Sequence, residues 1–249
     1  MIVGYIVAGI LTVIATIAVI VQLSRPAPDD SAVAIAAAAM TPVNTITVAM
    51  PRNIEAGGVV VAVVAVTYPG TFVEQPHVAA DGWSPVYGEI DATKKVSLDL
   101  FRYGAPLGRA IPAEVTFTIN RPVAIPAPPT PVTLVPAHAS AAVVSFRHDS
   151  DLRLTNILAP AGGTTPSVAF GENIKRLLFA YVCAPTARVT SPAGFRDLVD
   201  TKAGAGSLSH TLRVAVKAFA GPGALPPQSV VTVPPPTVDA STIFGVGSG

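Results

Sequence analysis

The order of blocks in this chain repeats, and that repetition limits the folds open to it more than any other feature. VVVAVVA (59–65) answers LLFAYVC (177–183), and DGWSPVYG (81–88) answers AGFRDLVD (193–200), setting Trp83 against Phe195. VSLDLFRYGAP (96–106) answers LRVAVKAFAGP (212–222), and EVTFTI (114–119) answers SVVTVP (229–234). Order is kept throughout, and each copy lies about 115 residues beyond its counterpart. The runs are short, β-branched and bounded by Gly, Pro and Asp, which is the pattern of strands and turns. In VSLDLFRY, Val96, Leu98, Leu100 and Arg102 share one face, and Ser97, Asp99, Phe101 and Tyr103 share the other, the period of a strand. Each copy then runs through an apolar strand, a glycine that relieves the turn, an aromatic and a further strand. Trp83 and Phe195 are placed to fill the end of a core between sheets, where a large ring contributes most.

The expected fold is therefore all-β: an antiparallel, jelly-roll-like β-sandwich over 43–238, built from two pseudo-repeated halves at about 43–120 and 137–234, neither able to cover its own apolar face alone. The 25 prolines and 20 glycines favour many turns and disfavour long helices in this body. Between the halves, RPVAIPAPPTPVTLVP (121–136) is too proline-dense for a central strand and reads as an extended crossing on the surface. Residues 239–249 read as a carboxy-terminal tail.

The amino-terminal end is different in kind. Residues 2–23, IVGYIVAGILTVIATIAVIVQL, carry no charge. As a helix, with residues 1–24 forming one apolar element, they would span about 33 Å, the thickness of a bilayer's hydrocarbon core. A helix apolar all round has two homes, lipid or the middle of a protein assembly. A cleaved secretory signal is a third reading, disfavoured because no basic side chain precedes the run. Residues 25–42 read as a linker whose Ala-rich middle could form a short helix.

Chemistry is harder to find. The net charge is +1 and only 12% of residues are charged, so nothing suits the chain to grip a nucleic-acid backbone. His77, His138, His148 and His210 are scattered without zinc-binding spacing. Asp149 and Asp151 lie in a segment that offers a Ca²⁺ loop or, more simply, a solvated turn. Glu89, Asp91 and Asp99 are acids of strand surfaces before they are a catalytic pair. No nucleophile elbow or phosphate loop occurs. Cys183, the one cysteine, sits in an apolar run and reads as a buried hydrophobe. Tyr68, Phe72, Tyr87, Phe101 and Tyr103 are either core and cross-strand packing or an exposed docking patch for sugar or protein. No catalytic, cofactor-binding or metal-binding residue is assigned, no cofactor is expected, and the chain is read as a non-enzyme.

The blocks AGGVVVAVVAV, DGWSPV, VSLDLFRYG followed by VTFTI, AAVVSFRHD and SPAGFRDLVD, over residues 45–235, resemble a loosely defined family of β-sandwich domains. These occur in surface proteins of GC-rich, actinobacterial-type bacteria and in minor tail and other virion proteins of their phages. Gly57-Gly58 stands where that pattern often has an Asp, and Arg147-His148-Asp149 replaces its usual Arg-Gly-Val-Asp ending. The resemblance implies a structural virion protein, a phage tail or tail-tip component. The apolar segment would anchor it among copies of itself and neighbouring virion subunits, or against the host membrane. The alternative is a membrane-anchored protein of the bacterial envelope with an adhesive or glycan-binding sandwich, and a third reading, an anchored hydrolase, needs a cleft of convergent polar groups.

Overall fold

The run from Val59 to Thr67 does not alternate as a strand with one wet face would, and the structure shows why: all of its residues are buried. The structure, a computed structural model, describes residues 32–52, 54, 58–68, 77–91, 96–104, 111–120, 137–146, 151–158, 168–170, 174–183, 188–219, 222–225, 231–233 and 238–247. The expected helix at 1–24, the Pro-rich crossing at 121–136, and Phe72, His148 and Asp149 lie outside these residues. Among the described residues, no helix is long and apolar enough to cross a membrane.

The described body is all-β and antiparallel. Its first eight strands are β1 (Ala32–Ala38), β2 (Thr45–Ala49), β3 (Val59–Thr67), β4 (His77–Ala79), β5 (Trp83–Asp91), β6 (Val96–Tyr103), β7 (Glu114–Asn120) and β8 (His138–Phe146). They form a five-stranded sheet in the order β1-β8-β3-β6-β5 and a three-stranded sheet in the order β2-β7-β4. The next nine are β9 (Asp151–Leu158), β10 (Val168–Phe170), β11 (Ile174–Cys183), β12 (Arg188–Thr190), β13 (Arg196–Ala203), β14 (His210–Ala218), β15 (Gly223–Leu225), β16 (Val231–Val233) and β17 (Val238–Gly247). Their five-stranded sheet runs β9-β17-β11-β14-β13, with β10 paired to β15 and β12 to β16. Position for position this is the winding of the first sheet: β3 corresponds to β11, β6 to β14, β5 to β13, β8 to β17 and β1 to β9.

One buried cluster draws on both five-stranded sheets. Ala34, Val61, Val63, Leu98, Leu100 and Val144 come from the first, and Leu178, Ala180, Val182, Leu212, Val214 and Val246 from the second. The opposite face of the first sheet supplies Val60, Val64, Phe101 and Val143 to another cluster, completed by Ile46 and Val48 of β2 and Val115 and Phe117 of β7. Strands β3 and β8 are thus covered on both faces, so an unbroken apolar run replaces alternation in each. A third cluster, Ile174, Leu177, Phe179, Tyr181 and Ile243, lies on the outward face of the second sheet. Each fully buried Val or Leu contributes about 1.5–3 kcal/mol against leaving it in water, and the shared cluster is dense with them.

Two boundaries differ from the sequence reading. The stretch read as a linker with a short Ala-rich helix contains a strand, β1, paired along its whole length with β8. Alanine has poor intrinsic strand preference, but β1 packs against both β13 and β2, and most of its side chains are buried between them. The stretch read as a tail is β17, held between β11 and β9 near the middle of the second sheet. The halves are accordingly 32–146 and 151–247, with β8 closing the first sheet instead of opening the second.

Candidate functional site

The two repeated turns take the same backbone form. Gly82 and Gly194 both have positive φ, 78° and 82°. The aromatic after each donates its N–H back three residues, Trp83 to the Ala80 carbonyl at 3.2 Å and Phe195 to the Pro192 carbonyl at 3.0 Å. A side chain at either glycine would strain the left-handed conformation the turn requires. The rings then meet different surroundings. Trp83 is buried against Tyr103 and Phe117, with centroids 5.1 and 5.6 Å away. Phe195 is half-buried, 5.9 Å from Phe179, with the Lys217 ammonium 5.6 Å above it.

Beside Trp83 opens a cleft of about 550 Å³ lined by Asp81, Glu114, Thr116 and Thr118. Its floor is the outward face of β7, where Glu114, Thr116 and Thr118 alternate with buried Val115, Phe117 and Ile119. Thr116 hydrogen-bonds to Thr47 of the neighbouring strand at 2.8 Å. The face is polar and hydroxyl-rich, without an exposed aromatic to stack a sugar ring. Tyr68 and Phe101 are core residues, and Tyr87 and Tyr103 are half-buried against the two clusters of the first half. Met40 is the exposed large apolar side chain among the described residues.

In the second half a polar network occupies the outward face. The Tyr181 hydroxyl lies 2.8 Å from Ser191 Oγ, which donates to Asp197. Arg213 donates to Asp200 and lies 3.7 Å from Asp197. Burial pushes the Tyr181 hydroxyl up to about 12, against the Ser191 hydrogen bond and with the help of Asp197. The group that holds the Ser191 proton is the Asp197 carboxylate, which also faces Arg213.

Two histidines that are far apart in sequence come together where the halves meet. Thr67 Oγ1 lies 2.6 Å from His210 Nδ1 and Ser140 Oγ lies 2.8 Å from His210 Nε2. A neutral imidazole donates to one hydroxyl and accepts from the other, so both ring nitrogens are satisfied. Burial, reinforced by His138, lowers the His210 pKa to about 3. The composition Ser, His, Thr has the look of a nucleophile and its base, but Ser140 and His210 are 0% and 1% exposed and no substrate reaches them. Scattered spacing in the sequence carried no signal for this cluster. Only strand register brings its members to one end of the sheets.

The remaining candidates are placed as follows. Asp99 lies opposite Gly88 across the β5–β6 pair and accepts a hydrogen bond from Ser97 at 3.1 Å. Burial raises its carboxyl to about 7, against that bond. Glu89 and Asp91 lie farther along β5, paired with Leu98 and Val96. Asp151 begins β9 and His77 begins β4. Cys183 is buried, with its thiol 3.8 Å from the Thr211 carbonyl. Among the described residues no three His, Cys, Asp or Glu side chains gather as metal ligands. Compared with protein-family models, curated proteins and solved structures, the chain finds no match.

Proposed function

We propose that this chain is a non-enzymatic structural protein of a virion, a doubled β building block anchored by its apolar amino-terminal segment. The observation that carries this reading is the strand order. In the first half β1, β8, β3, β6 and β5 form one sheet and β2, β7 and β4 another, an order that departs from an eight-stranded jelly roll only in that β5 joins the sheet of β6. The second half repeats the five-stranded sheet and sets two short pairs, β10-β15 and β12-β16, beside it, so we read the body as two jelly-roll-like sandwiches set back to back through their five-stranded sheets. Jelly rolls recur in viral capsids, lectins and cupins, and fold alone does not choose among them. The described surface favours the first: it offers polar, hydroxyl-rich strand faces instead of a stacking platform or a ligand cage.

Within a virion, the turn motifs quoted above point to the tail or tail tip, whereas the doubled winding suits the particle's shell, and the geometry favours the shell. The partners are copies of this chain and neighbouring virion subunits. The apolar segment meets either an assembly or a membrane. Quantitative mass spectrometry of density-purified particles beside washed host envelopes tests the reading through peptides such as LTNILAPAGGTTPSVAFGENIK (154–175). Hundreds of copies per particle support a shell subunit and a few copies a tail component. Recovery from envelopes alone, released by detergent, overturns the virion reading in favour of a membrane-anchored surface protein.

A further inference from the structure

The two five-stranded sheets pack back to back and share one strand order, so corresponding strand starts should match. They do not. His210 opens β14 and pairs with Ala203 at the end of β13, while Val96 opens β6 and pairs with Asp91 at the end of β5. Val96 thus opens β6 as His210 opens β14, and it is an ordinary member of the shared apolar cluster. Around His210, with Val96 alongside as the cross-strand partner of Thr67, the aliphatic seam gives way to Thr67, His138, Ser140 and His210, all buried.

The strand ends packed here bring few charges. β1 contributes alanines, β3 Thr67, β6 Val96, β8 His138 and Ser140, and β13 Thr201, Lys202 and Ala203, with Asp91 of β5 one strand beyond Val96. Among the described residues His138 is the titratable group whose charge acts on His210. Its own Nδ1 is buried without a hydrogen-bond partner, and its ring rests on Gly204, where a Cβ would fall 2.8 Å from His138 Cγ. The Gly204 N–H donates to the Ala39 carbonyl at 3.0 Å, tying the end of β13 to the end of β1. Two neutral imidazoles, a backbone bond between halves and small residues therefore close this end.

We propose that this end of the seam is an acid-sensitive latch: protonation of the His210 and His138 pair parts β1 and β8 from β13 and β14, opening the halves along one edge before the rest of the fold unfolds. A second proton on His210 would make both ring nitrogens donors, so the hydroxyl that donates to the neutral ring would have to turn its own O–H away, and the new charge would face His138 in a dry core. In the opened state both rings take up protons as free histidines do. Burial lowers both histidines below the ordinary imidazole value. Closure is thus complete above about pH 6.5 and weakens as pH falls.

Hydrogen exchange by mass spectrometry on the full chain in mild detergent, corrected for intrinsic pH dependence, reads the opening directly. Between pH 7.5 and 4.5 the opening constant of peptides covering 32–40, 138–146 and 203–212 rises about a hundredfold from His210 alone. Peptides covering 96–101 and 114–120, and Trp83 emission, stay as they were. His210→Gln keeps an amide donor and acceptor but takes no proton, and its acid response falls to a few-fold. His138→Asn gives an intermediate response. Equal seam protection at both pH values, or a full acid response in folded His210→Gln, overturns the latch. Should that variant not fold, the wild-type pattern still decides, because loss spread evenly over all peptides is global unfolding and contradicts a local opening.

Discussion

Replacing Trp83 by alanine removes the largest ring of the outer cluster in the first half. The side chain is 7% exposed and touches Tyr103 and Phe117, with Phe117 wholly buried. Deleting a core aromatic costs about 3–5 kcal/mol, part of it for the cavity left behind. Here the cleft lined by Asp81 and Glu114 adjoins the ring, so water can fill some of that cavity, and the loss falls at about 3–4 kcal/mol. Phe195→Ala, at the equivalent turn, removes a half-buried ring with one aromatic neighbour and a cation above it, for about 1–2 kcal/mol. Urea unfolding of the full chain in mild detergent measures both. Trp83 is the one tryptophan, so far-UV circular dichroism is the probe. With a slope of about 2 kcal/mol per molar, the midpoint falls by about 1.5–2 M for Trp83→Ala and about 0.5–1 M for Phe195→Ala. Equal shifts, or a Trp83→Ala shift below about 0.5 M, would refute the unequal placement of the two rings.

Asp99→Asn tests the buried carboxyl. Its folded pKa, raised to about 7, exceeds the unfolded value of 3.8, so the native state holds the extra proton and stability falls as pH rises between the two. The neutral isostere is therefore more stable than wild type at pH 8, on the order of 2–4 kcal/mol, and little different at pH 4, as read from paired melts. Ala36→Leu overfills the position where β1 packs between sheets and costs about 1–3 kcal/mol, whereas a true linker would tolerate it. Gly204→Ala meets a φ of +77° and contacts at 2.8 Å to His138 and 3.0 Å to the Leu208 carbonyl, for a loss of about 2–4 kcal/mol in the same denaturation assay.

What the sequence made legible followed from local rules. The Gly82-Trp83 and Gly194-Phe195 turns could be read because glycine and a following aromatic signal a left-handed corner wherever they stand. Strands β3, β6, β11 and β14 could be read because their β-branched runs are long enough to declare themselves. Strand β1 could not, since AVAIAAA has the composition of a helix or linker and becomes a strand only through its partners β8, β2 and β13. Strand β17 was hidden by its glycines and by the prolines before it, although β11 and β9 hold it on both sides. The histidine cluster depends on tertiary register: Thr67 pairs with His138 across β3 and β8, and His210 arrives from the other half. No spacing rule reports a contact of that kind.

The central claim is that copies of this doubled body are building blocks of a particle. Gold-labelled antibodies raised against the β body, applied to intact purified particles and viewed by electron microscopy, test it most directly. The account predicts regular label over the whole particle shell, and label confined to a tail tip would move the protein to the tail. Bare particles beside labelled host envelopes would contradict it.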